Sequence, residues 1–383
     1  MPYFCGLNTS DFKIYLIAGE ASGDLHASNL MKAVLQKEPN TEFRHWGGDQ
    51  MAAVSGEPVK HIKDLAFMGF IEVVANLKTI LKNIKDCKKD ILAYKPDALV
   101  LVDYPGFNLR IAKFAKENGI KVHYYVSPQI WAWKQKRGWK IKETIDEMYC
   151  ILPFEKEFYK KFNMDVHYVG HPLLDAIENF KENAATQIEF KNEFNLDERP
   201  IIALLPGSRK QEIKAKLPFM LSAVKGYDNY QLIVAGAPNL PESFYKEIAG
   251  SQEMHWISNR TYDLLNNSHA ALVTSGTATL ETALFKVPQI VCYKGNSISY
   301  QIAKRLIKVD YISLVNLISN KEVVKELIQG ELTVENIRIE LKKILTDTED
   351  RKLMLEEYEK MAVLLGGGGA SEKVASLLIK DKV

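Results

Sequence analysis

Residues 98–108 read ALVLVDYPGFN, and helical periodicity follows from Leu109. An unbroken apolar run, then a carboxylate and a glycine-bearing loop, is the pattern of a strand buried on both faces that feeds a helix. The same order recurs along the chain. Lys13–Ala18 (KIYLIA) runs into GEASGD and a helix from Asp24 to about Leu35, and Lys121–Val126 (KVHYYV) and Glu147–Leu152 (EMYCIL) repeat the strand signal. Strands alternating with helices imply a parallel sheet built from crossover units.

The rhythm pauses at Glu178–Pro200, a stretch rich in Glu, Lys and Asn that holds one short helical segment and ends in DERP. It restarts at Ile201–Leu205 (IIALL), followed by PGSR, and continues through Gln231–Ala235, Ala270–Val273 and Pro288–Cys292. Two such halves predict an α/β fold of two Rossmann-like domains, with parallel sheets facing a central cleft and a helical C-terminal tail. The division is placed at 1–185 and 186–365, with 178–200 as linker. Helices are expected over 322–329, 333–345 and 351–365. GGGG at 366–369 precedes a last helix, within 366–383, that crosses back to the N-terminal half or packs on a partner. A chain of 383 residues suits this division, since a domain typically holds about 100–200 residues.

Composition narrows the class. Hydrophobic residues make up 46% and charged residues 26%, which excludes disorder, a collagen-like fibre and a multi-span membrane protein. Lys+Arg is 50 against Asp+Glu 48, a net +2, without the overall basic excess of a nucleic-acid binder. Met1–Ser10 lacks the charged and apolar regions of a signal peptide, and no apolar run reaches the roughly 18 residues of a spanning helix. Cys5, Cys87, Cys150 and Cys292 are scattered, as expected of reduced cytoplasmic thiols rather than a zinc site or disulfide framework.

In open parallel sheets ligands bind at the carboxyl ends of the strands, so four loops matter. In Gly19–Asp24 the glycines allow close backbone approach and Asp24 can cap the helix that follows; Glu20 is left as a carboxylate at a strand end. Asp103 ends the apolar strand ALVLV. Partial desolvation there raises a carboxylate pKa and suits a general base, or Asp103 merely bonds the amides of its own turn. Pro206–Arg209 turns at Gly207 into a helix N-terminus with Arg209 beside it, an anion site; otherwise Ser208 caps the helix and Arg209 is solvated. Ser275-Gly276-Thr277 opens a further helix and leaves backbone N–H groups for a pyrophosphate, with Glu281 one turn on, in reach of ribose hydroxyls. That loop paired with PGSR in one half points to a nucleotide-diphosphate site. His167 and His171 read as strand and turn, and no metal site is expected.

Two segments suit a lipid surface. Phe67 and Met68 precede, and Phe70 opens, a helix over 69–91 whose apolar stripe includes Phe70, Leu77, Leu81 and Ile84, with Lys78, Lys82, Lys85, Lys88 and Lys89 largely off it. The stripe itself reads as core-facing, but Phe67, Met68 and Phe70 add more apolar bulk than one face needs. Trp131-Ala132-Trp133 and the bases that follow suit anionic head groups, a single-stranded nucleic acid, or a helix with inward tryptophans.

Taken in order, GEASGD, MGFIEV, DYPGFN, HYYVSPQIWAWKQKR, LPFEKEFY, VGHPL, LLPGSRKQEI, SGTATLE and DYISLVNL resemble the lipid-A-disaccharide synthase family, from about Ile14 to about Asn316. The resemblance implies a GT-B fold and an inverting glycosyltransferase without a metal or other cofactor. It implies transfer of 2,3-diacylglucosamine from its UDP ester to 2,3-diacylglucosamine 1-phosphate (lipid X), at the cytoplasmic side of the inner membrane, by a peripheral monomer or homodimer. Asp103 becomes the expected general base with Glu20 in the neighbouring loop. Arg209, Ser275, Gly276, Thr277, Glu281 and Asn316 become the expected UDP-side residues. Tyr104-Pro105-Gly106 stands where some relatives carry Ala-Pro-Asp, which leaves more weight on Asp103. Rival readings are another GT-B enzyme acting on a UDP-sugar, such as an undecaprenyl-linked N-acetylglucosaminyl transferase or a UDP-sugar 2-epimerase, and a non-enzymatic lipid- or nucleotide-binding scaffold.

Overall fold

The computed structural model describes residues 12–65, 76–296, 300–301 and 309–382. The chain divides into two compact units, Met1–Pro172 with Gly368–Val383, and Leu173–Gly367. In the first, β1 (Lys13–Ala18), β2 (Glu42–Gly47), β3 (Lys60–His61), β4 (Ala98–Val102), β5 (Lys121–Tyr125), β6 (Glu147–Cys150) and β7 (His167–Tyr168) form a sheet in the order β3-β2-β1-β4-β5-β6-β7. Each pairing is parallel. Every residue of β4 is buried, which is why ALVLV shows no alternation: helices cover both faces of the sheet.

The second unit repeats the plan. Here β8 (Ile201–Leu205), β9 (Gln231–Gly236), β10 (His255–Ser258), β11 (Ser268–Thr274), β12 (Gln289–Tyr293) and β13 (Lys325–Ile328) form a parallel sheet in the order β10-β9-β8-β11-β12-β13. One face packs on the helices Lys210–Val224 and Val334–Leu345 through Ile213, Leu217, Met220, Ile337 and Leu341. In each sheet the chain starts at an inner strand, builds outward on one side, then crosses to the other side of that strand. The switch points therefore lie between β1 and β4, where Ala18 pairs with Val102, and between β8 and β11, where Leu205 pairs with Val273. A crevice opens beyond the carboxyl ends of strands at such points.

Three expectations change. The polar stretch 178–200 is not a bare linker. It contains the end of the helix Pro172–Glu182 and the helix Gln187–Glu193, whose Thr186 and Glu189 form a capping box. Phe190 is fully buried against Ile201 and Ile233, so a single aromatic anchors an otherwise solvated segment into the second unit. Residues 325–328 are an edge strand, not part of a helix over 322–329. Pairing with β12 and capture of the Val323 and Val324 N–H groups by Asn316 Oδ1 (2.8 and 2.9 Å) override a short helical pattern. Asp24 does not cap its own helix. It sits in the first turn of Ala21–Lys37, whose N-cap is Glu20, and accepts the N–H groups of Gly48, Gln50 and Met51 at 2.7, 3.0 and 3.2 Å. It thus caps the next helix, Asp49–Ser55.

The last helix, Ala370–Lys380, returns to the first unit. It buries Val374, Ala375 and Leu378 and packs on Ala21–Lys37. Ion pairs Lys121–Asp381 (3.0 Å) and Lys382–Glu38 (3.2 Å) flank the contact.

Candidate functional site

The candidate residues of the first unit gather at the β1/β4 switch point. Asp103 and Tyr104 follow β4 directly, and both hold left-handed backbone (φ 46° and 48°). Consecutive non-glycine residues in that region store strain of order 1–3 kcal/mol each and mark functional turns. The turn is held from beneath. The Asp103 carbonyl accepts the Asn108 amide at 2.7 Å and the Tyr124 hydroxyl. The helix Pro105–Glu117 begins at once with Pro105, whose fixed φ suits a first turn and which has no N–H to leave unsatisfied. The Tyr104 ring lies over Gly19, where a Cβ would fall 2.3 Å from it, so the loop after β1 needs glycine. The Tyr104 hydroxyl reaches the Leu65 carbonyl at 3.1 Å.

This turn lifts the Asp103 carboxylate from the strand end. Burial, then the charge of Glu20, push its pKa up to about 6, against a smaller opposing pull from the Tyr104 N–H. Glu20 and Asp103 are thus brought together, one beyond each strand of the switch point. The pair is a strained, partly desolvated carboxylate with a second acid beside it, which is chemistry for taking a proton near neutral pH.

In the second unit, PGSR follows β8 and SGTAT follows β11, again on both sides of a switch point. Gly207 holds φ +119°, and a Cβ there would come 2.6 Å from the Glu212 carboxylate. Arg209, rather than Ser208, is the N-cap of the helix Lys210–Val224, and its guanidinium lies 3.5 Å from Glu212. Gly276, at φ +141°, is the N-cap of Thr277–Leu284, and both Gly276 and Thr277 are exposed. A helix start of exposed small residues is the kind of place where an anion can be held. Glu281 accepts the Tyr262 hydroxyl at 3.1 Å, and burial raises its pKa.

A family model described as lipid-A-disaccharide synthetase matches residues 14–375. This chain belongs to that family. It is similar to the lipid-A-disaccharide synthases of Syntrophus aciditrophicus (40% identical over 374 residues, 96% of this chain and 97% of the other) and Geobacter metallireducens (37% over 375 residues, 96% and 97%). Its fold is similar to that of the UDP-GlcNAc 2-epimerase from Neisseria meningitidis bound to UDP-GlcNAc, with TM-score 0.65 at 16% identity over 96% of this chain and 100% of that one. That likeness concerns the two-domain GT-B fold. Membership in the synthase family makes the chain a glycosyltransferase of lipid A biosynthesis.

The sequence-predicted residues of this lipid-A-disaccharide synthase family member fare differently. Ser275 donates its hydroxyl to the Ile312 carbonyl at 2.9 Å. Asn316 is fully buried. Its amide donates to the Val324 carbonyl and to Glu326, each at 2.9 Å, so it braces the loop behind Ser275. Glu326, which sequence reading missed, is the centre of that brace and also accepts the Ile312 and Ser313 N–H groups. Its one local signal is a carboxylate inside a short apolar strand. Trp131 is not a lipid-surface residue. It is 6% exposed, its N–H donates to the buried Glu155 at 3.2 Å, and its ring meets the edge of Phe154. Trp133 is 41% exposed, with the Lys134 ammonium over its ring.

Phe67, Met68 and Phe70 lie outside the described residues. In the helix Leu77–Tyr94 the expected apolar stripe splits: Ile84 is buried, on a face shared with Cys87 and Ile91, while Leu77 and Leu81 are 49% and 55% exposed. Among the described residues no helix is long and apolar enough to cross a membrane. His167 pairs with Glu147 at 2.8 Å, and among the described residues no group of three or more His, Cys, Asp or Glu is arranged to hold a metal.

Proposed function

We propose that this protein is a lipid-A-disaccharide synthase that joins 2,3-diacylglucosamine, carried by UDP, to 2,3-diacylglucosamine 1-phosphate. The observation that carries the reading is the strained Asp103 turn beside Glu20 at the β1/β4 switch point, with the Asp103 pKa pushed up to about 6. The Asp103 carboxylate takes the proton of the acceptor's primary hydroxyl as that oxygen bonds to the anomeric carbon. The anomeric C–O bond to UDP breaks on the opposite face, and UDP leaves with the electron pair. One displacement inverts the configuration and gives a β-1,6-linked disaccharide 1-phosphate. Arg209 and the N–H groups at Gly276–Thr277 stabilise the charge growing on the diphosphate, an electrostatic contribution that is usually the largest in such steps. Glu281 is assigned to the donor's ribose. Asn316 acts at one remove, by holding the segment to which Ser275 is bonded.

Both substrates carry acyl chains, which supports work at a membrane surface, assigned in this reading to the cytoplasmic face of the inner membrane. Exposed Leu77 and Leu81 among Lys78, Lys82 and Lys85, together with Trp133, support a surface that meets anionic lipid. Mass spectrometry of the product from UDP-2,3-diacylglucosamine plus lipid X tests the reaction. The disaccharide 1-phosphate with stoichiometric UDP is expected. UDP release without an acceptor-dependent product, or turnover of UDP-N-acetylglucosamine alone, would overturn it.

A further inference from the structure

Lys216 takes no part in the mechanism above, yet it lies under both loops of the second unit. It belongs to the helix Lys210–Val224, and its side chain is 3% exposed. Its ammonium donates to the hydroxyl of Thr274, the last residue of β11 and the one before Ser275. A Cβ on Gly207 would stand 3.6 Å from the same nitrogen, so the PGSR loop passes directly over it. Its carboxylate neighbour Glu212 is 3.8 Å away and also faces Arg209 at 3.5 Å. The Cys292 thiol close by is held neutral, since burial pushes it up to about 12.

Lysine is almost never fully buried unless paired, and the stem of this one could be replaced by an apolar side chain of similar length. Burial lowers its pKa while Glu212 holds it up. A buried charge pair often stabilises a fold no more than a well-packed apolar side chain of similar volume, so the geometry under the two loops, rather than stability, gives this charge a use. A cation in low-dielectric surroundings acts over several ångströms without contact, and the open face above it is formed by the two loops themselves.

We propose that Lys216 is a positioning residue for the donor's diphosphate: it ties the PGSR and SGTAT loops together from below and supplies a fixed positive potential under the phosphates. The inference rests on the reading of these loops as the UDP seat.

Wild type, Lys216→Met and Lys216→Gln are titrated with UDP by calorimetry and with uridine by ligand-observed NMR, and melting temperatures are recorded for all three. Gln keeps a donor for Thr274 without the charge; Met removes both. UDP affinity should fall roughly 10- to 100-fold in both variants, the range of a lost charge-assisted interaction, with uridine binding unchanged. Wild-type UDP affinity in either folded variant overturns the proposal, as does equal weakening of UDP and uridine, which would mean structural damage only. If wild type itself binds no UDP, the donor-seat reading falls and takes this inference with it. If wild type binds UDP and both variants match it, only Lys216 loses its role.

Discussion

Asp103 must be ionised to act as a base, and its burial beside Glu20 sets where that happens. The acidic limb of kcat/KM should rise through about pH 6, as a property of the coupled pair rather than of one residue. Glu20→Gln removes the like charge, so the limb should move to lower pH; a limb that stays in place would dissociate Glu20 from the base. Stability carries the opposite sign. A carboxyl whose folded pKa lies above its unfolded value near 4 holds its proton more tightly when folded. Its contribution is full below about pH 4 and is lost as pH rises through about 6. Asp103→Asn, which also tolerates left-handed backbone, should melt higher than the parent at pH 7 while kcat falls by about 10²–10⁴. Differential scanning calorimetry and steady-state kinetics on the same sample check both halves. The position of Asp103 at a strand end was readable from ALVLVD, because buried strands announce themselves. The strain of its turn was not, since the carbonyl is locked by Asn108 only once the next helix has formed and by Tyr124 only once the neighbouring strand is in place.

The segment after β5 shows how far composition carries. Trp131 and Trp133 stand two apart in a run with the same mixture of aromatics and bases, yet one faces Glu155 in the interior and the other faces solvent. The two tryptophans sit in a turn, and Glu155 opens a helix 24 residues further on, Glu155–Lys160, so no local pattern could sort them. Trp131→Ala should cost about 3–5 kcal/mol of stability, the usual loss for a buried aromatic, and leave binding to anionic phospholipid vesicles intact in the folded fraction. Trp133→Ala should leave the melting temperature unchanged and weaken vesicle sedimentation; the reverse pattern would move the lipid surface elsewhere. The strand Lys325–Ile328 was misread as helix for a related reason. Its four residues are too few to show a period, and its state is decided by β12 and by Asn316.

For the molecule as a whole, the parallel alternation along the chain was enough to give two Rossmann-like halves, because each strand reports its own burial. Where one unit ends was less legible. The polar stretch 178–200 resembles a linker by composition, but Phe190 ties it into the second unit, and the division falls between Pro172 and Leu173. The destination of the last helix stayed open in the sequence between the N-terminal half and a partner, since an amphipathic helix states which face it buries and not against what; the structure takes it to the N-terminal half. Removal of residues 370–383 should strip the outer face of Ala21–Lys37. Hydrogen exchange should quicken there and in β1, with the amides of β8 and β11 protected as before; unchanged protection of Ala21–Lys37 would count against a structural role for the return. That return also imposes an order on biosynthesis. The first sheet leaves the ribosome early but must wait for Ala370–Lys380, roughly 10–40 s later at ordinary elongation rates, while the second unit has all its strands before then. The half made first is finished last, and in the interval the face of Ala21–Lys37 on which Ala370–Lys380 packs is a natural handle for a chaperone.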